Sequence, residues 1–179
     1  MAMKEFYKKE VAPKLKEQFG YKNVNAVPVV QSVTLNIGLG PGLKDARFLE
    51  AAEKTLIRIT GQKPVKTKAR ISLATFKIRE GMIVGMKVTL RGKRMWDFLE
   101  KLFKISMPRV RDFRGLSPKA FDGQGNYSIG FKEQISFPEI HAEETEVLHG
   151  LQVTIATSAK TDAEAKTLLT QLGLPLKND

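Results

Sequence analysis

Alternation of apolar and polar residues in three segments constrains the fold of this chain more than any other feature. The segments span residues 29–37, 83–90 and 151–158. Because successive side chains of a strand point to opposite faces of a sheet, each segment predicts a strand with one buried face and one face in water. Sheets of this kind are mainly antiparallel, since parallel strands are usually buried on both faces.

Amphipathic helices are predicted between these strands. Apolar residues recur with helical spacing over residues 4–19, 44–60 and 92–105. Pro13 is expected to kink the first of these helices or to divide it into two short pieces. A last helix is predicted over residues 162–172, because Thr161 and Glu164 have the spacing of a capping box.

The remaining segments are predicted to be short strands or irregular chain. Residues 127–131 and 134–137 are strand candidates, whereas residues 106–126 are rich in Gly, Pro and basic residues and predict a long loop. Pro64 restricts residues 64–78 to extended chain at a sheet edge or at the start of a strand. Helices mixed with half-buried strands predict an α+β fold, a single domain over residues 1–179 whose mostly antiparallel sheet has helices packed on one face.

The charge of the chain is strongly basic and unevenly placed. Residues 54–79 carry eight Lys or Arg and no acid, within a formal net charge of +11. A run with one sign of charge repels itself unless a polyanion neutralises it, and nucleic acid is the obvious polyanion. Residues 61–119 hold 16 bases and 4 acids, whereas residues 133–164 hold 7 acids and 1 base. A basic region beside an acidic one predicts a folded body with two different partners.

Polar side chains occupy the predicted wet faces of the strands, and most of them are neutral hydrogen-bonding groups. They are Thr34 and Asn36, Lys87 and Thr89, and Gln152 and Thr154. Such a face can lie on RNA and bond to phosphates and 2′-hydroxyls, although an ordinary solvated face shows the same pattern. The neighbouring basic run favours the RNA hypothesis. Five aromatic residues could stack on unpaired bases, namely Phe76, Phe113, Phe121, Tyr127 and Phe131. Most of them are expected to be in the core, and Phe113 is the best candidate for exposure because it lies between Arg111 and Arg114.

The chain offers little that an enzyme would need. The turn of residues 38–42 lies between a predicted strand and a predicted helix, but Pro41 and Leu43 do not fit a dinucleotide-binding loop. A nucleotide-dependent enzyme is therefore the weaker hypothesis. His141 and His149, the only histidines, match no spacing typical of a metal site. We expect no catalytic residues, no metal and no cofactor.

The composition also bears on the cellular compartment. The chain has no cysteine, which excludes disulfides and thiolate sites and is compatible with a reducing compartment. Its first residues are charged and lack the apolar core of a signal peptide. No apolar run approaches the roughly 20 residues that span a bilayer. We therefore expect a cytoplasmic protein without a membrane partner.

Long motifs in the chain resemble those of one family. Residues 56–72 read L-I-R-I-T-G-Q-K-P-V-K-T-K-A-R-I-S, and they resemble the signature of the bacterial large-subunit ribosomal protein L five family. The resemblance continues through residues 76–81, 87–98, 108–117 and 121–128, and it covers essentially the whole chain. It implies a structural RNA-binding protein of the ribosome, with an α+β domain whose mostly antiparallel sheet is curved. A general RNA chaperone is the alternative among RNA-binding proteins.

The same resemblance implies partners and binding residues. The partners are 5S ribosomal RNA (5S rRNA), the transfer RNA of the peptidyl site (P-site tRNA), other 5S-associated large-subunit proteins, and protein S thirteen of the small subunit. The residues implied to contact 5S rRNA are Asn36, Gln62, Lys63, Thr67, Lys68, Arg70, Thr89 and Arg91. The loop implied to face the transfer RNA contains Lys77, Arg79, Gly81 and Met82. Two surfaces compete for the intersubunit bridge, the basic Arg109, Arg111 and Arg114 and the acidic Glu143 and Glu144.

Overall fold

A computed structural model describes residues 2–40, 46–141 and 147–177 of the chain. It contains an open five-stranded antiparallel sheet and has the α+β class predicted from the sequence. The strands are β1 (Val30–Gly38), β2 (Val65–Lys68), β3 (Ile83–Leu90), β4 (Tyr127–Phe131) and β5 (Leu151–Thr157), in the order β2-β3-β1-β5-β4. The α-helices are α1 (Met3–Phe6), α2 (Ala12–Phe19), α3 (Ala46–Thr60), α4 (Gly92–Lys101) and α5 (Asp162–Gln171).

The alternating segments form strands, as predicted. In β1, Leu35 and Ile37 are fully buried, whereas Asn36 between them is exposed. In β3, Met86 is buried and the next residue, Lys87, is exposed. β5 alternates in the same way between buried and partly exposed residues. The alternation arises because successive side chains of a strand point to opposite faces of the sheet, and one of these faces is buried.

The described residues cluster into two compact units. Unit 1 takes its residues from 1–33, 90–129 and 154–179, and unit 2 takes its residues from 34–89 and 130–153. Fully buried apolar side chains occur within each of the two units, for example Leu15 in unit 1 and Leu56 in unit 2. The organisation as a single domain stays a prediction.

In unit 1, Pro13 divides the N-terminal helix, as predicted. α1 is followed by a π-helical turn over Tyr7–Val11, and α2 begins at Ala12 with Pro13 in its first turn. Proline has no N–H, and its ring collides with the carbonyl group of the preceding turn. A π-helical turn accommodates this defect, because it widens the backbone where the regular hydrogen bond is lost.

The N-terminal helical pieces are held by partners far along the chain. The Met3 N–H donates to a carboxylate oxygen of Glu100 at 3.4 Å, and the ring centroids of Tyr7 and Trp96 lie 5.4 Å apart. The Tyr7 hydroxyl also donates to the carbonyl oxygen of Pro28 at 2.9 Å. Residues near the start of unit 1 therefore depend on α4 for their position.

The long loop predicted over residues 106–126 is anchored to the start of α5. The Asp162 carboxylate accepts hydrogen bonds from the N–H groups of Gly123 and Gly125, at 3.2 and 2.9 Å. Gly125 has a φ of +81°, and a Cβ atom there would lie 2.9 Å from the carbonyl oxygen of Ala159. Both the backbone conformation and the lack of space thus require glycine at this position.

The last helix begins where the capping box predicts. The Thr161 hydroxyl accepts the Glu164 N–H at 3.4 Å, and the Glu164 carboxylate accepts the Lys160 N–H at 3.0 Å. The first bond satisfies an N–H group that the first turn of the helix leaves without a helical partner, and the second holds the residue before the N-cap. Burial and a hydrogen bond to the same carboxylate raise the pKa of Tyr21 to about 12.

In unit 2, the strand predicted over residues 134–137 is wrong, because this segment is a 3₁₀ turn over Gln134–Ser136. The buried Gln134 side chain forms hydrogen bonds with backbone groups that would pair with a neighbouring strand if this segment were part of a sheet. Its Nε2 donates to the Val147 carbonyl oxygen, and its Oε1 accepts the His149 N–H, both at 2.8 Å. A pattern of apolar residues cannot reveal such a side-chain bond, because it depends on residues distant in sequence.

β2 is an edge strand that begins directly after Pro64, in agreement with the prediction for residues 64–78. It pairs antiparallel with β3, so that Val65 lies opposite Lys87 and Thr67 lies opposite Gly85. Beyond this pairing the chain forms a hairpin of residues 69–82, closed by a hydrogen bond from the Ala69 N–H to the Met82 carbonyl oxygen at 2.8 Å. The sequence predicted extended chain here but not a hairpin.

Candidate nucleic-acid interface

The outward side chains of β1, β2 and β3 in unit 2 form one surface, the polar face. It comprises Thr34 and Asn36 from β1, Thr67 from β2, and Gly85, Lys87 and Thr89 from β3. The hydroxyl oxygens of Thr34 and Thr89 lie 3.4 Å apart, which joins β1 to β3 across this face. Apart from Lys87, its polar side chains are neutral groups that both donate and accept hydrogen bonds.

Gly85 leaves space on the polar face beside the side chains of both neighbouring strands. A Cβ atom on Gly85 would lie 2.9 Å from Thr67 Oγ1 and 4.0 Å from Asn36 Oδ1. It would also lie 3.0 Å from the carbonyl oxygen of Ile37, which belongs to the backbone of β1. Thr67 Oγ1 therefore occupies the space that a β3 side chain would fill, and Asn36 Oδ1 borders the same space. The alternation pattern alone did not predict this role for the glycine.

Gln62 reaches the polar face from the end of α3. Gly61 adopts a left-handed φ of +66° and its N–H donates to the Ile57 carbonyl oxygen at 2.8 Å, which ends the helix as the sequence predicted. The Thr60 hydroxyl then accepts the Gln62 N–H at 3.2 Å. From this position Gln62 Nε2 donates to the Thr89 carbonyl oxygen at 3.5 Å. The Gln62 side chain therefore lies at the edge of the polar face beside Thr89.

Exposed cations lie near this face in the sequence run without acids. Lys63, Lys68 and Arg70 are exposed, and none of them forms an ion pair within the ranges that the structure describes. Lys66 differs, because its Nζ lies 3.0 Å from a carboxylate oxygen of Glu53 on α3. Cations without an acidic partner are available to phosphate groups, whereas Lys66 already has a counterion.

The four residues expected to face a transfer RNA lie in the second half of the hairpin. Lys77, Arg79 and Gly81 are exposed, whereas Met82 is half-buried and its sulfur accepts the Arg79 N–H at 3.1 Å. Lys77 adopts a φ of +55°, which is uncommon for a residue with a side chain and allows the tight turn at the tip. Glu80, the only acid of residues 69–82, donates its N–H to the Ser72 hydroxyl at 2.9 Å.

The aromatic residue that the structure exposes is not the one predicted. Phe113, in the loop of unit 1, is half-buried and therefore less exposed than predicted, whereas Phe76 at the hairpin tip is 67% exposed. Ile71 and Leu73 of the same hairpin are 71% and 50% exposed. The sequence signal for these residues is weak, because apolar side chains in an edge hairpin look like side chains of a buried strand.

The remaining candidate residues belong to unit 1 or lie outside the described residues. Arg91 is exposed at the N-cap position of α4. Arg109, Arg111 and Arg114 are exposed in the loop after α4, and Arg111 Nε lies 3.9 Å from the Asp112 carboxylate. Glu143 and Glu144, the acidic alternative, fall outside the residues that the structure describes.

His149 is a core residue of unit 2. It is 5% exposed, and its Nε2 lies 3.2 Å from the Thr55 hydroxyl of α3. Burial lowers the pKa of His149, because the charged imidazolium form would lose its hydration. Among the described residues, no group of three or more metal-ligating side chains comes together.

An open sheet with a neutral hydrogen-bonding face, flanked by cations that lack counterions, has the features of a nucleic-acid-binding surface.

Sequence comparison defines the family. Residues 23–79 match the family described as "Ribosomal protein L5", and residues 83–176 match the family that describes the C-terminus of the same ribosomal proteins. This protein belongs to the ribosomal protein L5 family.

Curated relatives match the chain over nearly its full length. The large ribosomal subunit protein uL5 of Desulforapulum autotrophicum is 56% identical over 176 residues, which is 98% of each chain. The protein of the same name from Symbiobacterium thermophilum is 54% identical over 173 residues, or 97% of this chain and 96% of that protein. In the part of the chain that the structure covers, no helix is long and apolar enough to cross a membrane.

Proposed function

We propose that this protein is a structural constituent of the large ribosomal subunit that binds 5S rRNA through the polar face. Membership of the ribosomal protein L5 family and the names of the relatives, which are large-subunit proteins, support the ribosomal role. The observation that carries the RNA-binding role is that Thr67 Oγ1 and Asn36 Oδ1 both border the space above Gly85, 2.9 and 4.0 Å from where a Cβ atom would lie. This cluster lies in the same unit as Lys63 and Lys68, which have no acidic partner among the described residues.

The two kinds of side chain have different tasks in this proposal. Lys63, Lys68 and Arg70 bind phosphate groups, which supply most of the affinity without reading the sequence. Asn36 and Thr67 bond to ribose 2′-hydroxyls, because an amide and a hydroxyl can each donate to and accept from a group that does both. The strands that carry these side chains are fixed by sheet pairing, so little conformational entropy is lost on binding.

A pair of substitutions separates the two tasks. Lys68→Ala should reduce the slope of log Kobs against log salt concentration by about 0.7 to 0.9, because one phosphate contact is lost. Asn36→Ala should weaken binding roughly 2- to 12-fold, the equivalent of one neutral hydrogen bond, and should leave the slope unchanged. Lys14→Ala, a change of an exposed cation on α2, serves as the matched control. Filter binding to 5S rRNA over a salt titration measures both quantities.

Two results would contradict this proposal. Binding to 5S rRNA that does not depend on salt would show that phosphate contacts do not contribute to affinity. Equal competition by unrelated single-stranded RNA would indicate a general RNA chaperone instead of a protein specific for 5S rRNA.

Further contacts are proposed for other exposed residues. We propose that the hairpin faces the P-site tRNA with Lys77, Arg79 and Gly81, the first two of which offer exposed charge to phosphates. For the bridge to protein S thirteen we favour the loop of Arg109, Arg111 and Arg114, whose side chains are exposed. We also propose that Arg91 of unit 1 contacts 5S rRNA and that other 5S-associated proteins are partners in the assembly.

A further inference from the structure

Three apolar side chains of the hairpin are exposed to water within six residues of chain. Phe76 is 67% exposed, Ile71 is 71% exposed and Leu73 is 50% exposed. A folded chain gains about 25 cal/mol for each Å² of apolar surface that it buries, so exposed apolar residues in one segment are unfavourable without a partner. Patches of this kind mark interaction sites.

The hairpin holds these side chains on an ordered backbone. Leu73 and Ile78 bond each other through both of their N–H groups, at 2.8 and 3.1 Å. The Lys77 N–H donates to the Ala74 carbonyl oxygen at 3.0 Å and closes a 3₁₀ turn that ends at Phe76. The ring is therefore presented at the tip before any partner binds, which reduces the entropic cost of binding.

The charges around the ring select a polyanionic partner. Arg70, Lys77 and Arg79 are exposed on the hairpin, and Glu80 is its one acid. An exposed aromatic ring on a hairpin that also carries three exposed cations matches a nucleobase and its neighbouring phosphates, since aromatic residues stack on unpaired bases and basic residues follow the backbone. The base pairs within a duplex are stacked on both faces, so a duplex offers no such base. The partner must present a base that is unpaired or turned out of its stack.

We infer that Phe76 stacks on an unpaired nucleobase of a folded RNA, with Ile71 and Leu73 packing against the adjoining ribose. This inference rests on the proposal that the hairpin faces RNA, and it adds the chemistry by which the tip binds. Stacking on a base depends on the ring, whereas attraction to the backbone depends on Arg79 and Lys77. The two contributions therefore differ in their dependence on salt.

The test uses the full-length protein and an RNA stem-loop that carries 2-aminopurine in its loop, with a fully paired duplex of the same stem as comparison. The wild-type protein should change the fluorescence of the loop base and prefer the stem-loop. Phe76→Ala should lower the affinity for the stem-loop roughly 5- to 150-fold, the range for loss of one stacked base, and should not change the salt slope. Phe76→Trp should restore binding, because it returns an aromatic ring.

Control variants separate this effect from general weakening. Leu148→Ala changes a side chain of similar exposure, 58%, elsewhere in unit 2 and should bind as the wild type does. Arg79→Ala should reduce the salt slope, unlike Phe76→Ala. Since Phe76 is exposed, its replacement should leave the free energy of unfolding unchanged within about 0.5 kcal/mol.

Three outcomes would overturn the inference. The first is that Phe76→Ala and the wild type bind the stem-loop with equal affinity. The second is that the wild type binds the stem-loop and the duplex with equal affinity. The third is that Phe76→Ala loses binding to anionic lipid vesicles but binds the stem-loop as the wild type does. Binding of 5S rRNA is measured on the same variant and should be unchanged. If the wild-type protein fails to bind 5S rRNA but still stacks on the loop base, the proposed function alone is refuted. If it binds 5S rRNA but does not stack on the loop base, the inference alone is refuted.

Discussion

Replacing Gly85 with alanine tests whether the space above this glycine on the polar face matters for RNA binding. The added Cβ would lie 2.9 Å from Thr67 Oγ1 and 3.0 Å from the Ile37 carbonyl oxygen. Thr67 can turn its side chain away, but the Ile37 carbonyl group is part of β1 and can yield only if the strand shifts. Both adjustments move Thr67 or Asn36 out of the position that the glycine allows.

The magnitudes follow from these contacts. Overpacking costs about 1 to 3 kcal/mol, and replacing a strand glycine returns about 0.5 to 1 kcal/mol of backbone entropy. We therefore expect Gly85→Ala to lower the free energy of unfolding by about 0 to 2.5 kcal/mol. This loss is small against the roughly 5 to 15 kcal/mol that stabilises a domain, so the variant should still fold. Displacing the hydroxyl and the amide removes two hydrogen bonds to RNA and should weaken 5S binding by about 5- to 150-fold.

The matched control is Gly130→Ala, because Gly130 of β4 has no atom within 4 Å of the position of an added Cβ. It should be neutral or slightly stabilising and should leave RNA affinity unchanged. Urea denaturation measures stability, and filter binding at fixed salt concentration measures affinity. If Gly85→Ala bound 5S rRNA as tightly as Gly130→Ala does, the geometry above Gly85 would have no part in recognition.

Two further predictions concern stability. The free energy of unfolding should fall as the pH drops from 7 to 5, because burial lowers the pKa of His149 in the folded state. In the unfolded chain the same histidine takes up a proton at the usual pKa of about 6.5. Urea titrations of His149→Gln should lack this part of the pH dependence. Asp162→Ala should lower the free energy of unfolding by about 1 to 3 kcal/mol, because the N–H groups of Gly123 and Gly125 lose their acceptor. Thermal denaturation measures this loss, and an unfolding midpoint equal to that of the wild type would contradict the prediction.

The strands with one buried face could be predicted from the sequence, and the edge hairpin could not. β1, β3 and β5 alternate because half of their side chains are in the core. β2 lies at the edge, where Val65 is 62% exposed, so burial imposes no such pattern on it. The hairpin beyond β2 depends on hydrogen bonds between residues such as Leu73 and Ile78, and backbone bonds leave little trace in composition.

The candidate site was predictable to the extent that it consists of polar side chains. The alternation places Asn36 and Thr89 on the wet face, and the structure confirms that placement. Gly85 has no side chain to signal its role, which is visible only in the distances to the strands beside it. Flanking arginines suggested exposure of Phe113, but exposure is decided by packing, and the structure exposes Phe76 instead.

The composition of unit 1 has a consequence for synthesis of the chain. Met3 and Tyr7 leave the translating ribosome early, but their partners Glu100 and Trp96 are made much later, and α5 of the same unit is made later still. A nascent chain usually folds from its N-terminus, and apolar surface that waits for partners promotes aggregation. The buried residues of α1 and α2 therefore remain without their final packing until α4 and α5 have been made, so the nascent chain rather than the finished protein is the state that most needs protection by chaperones.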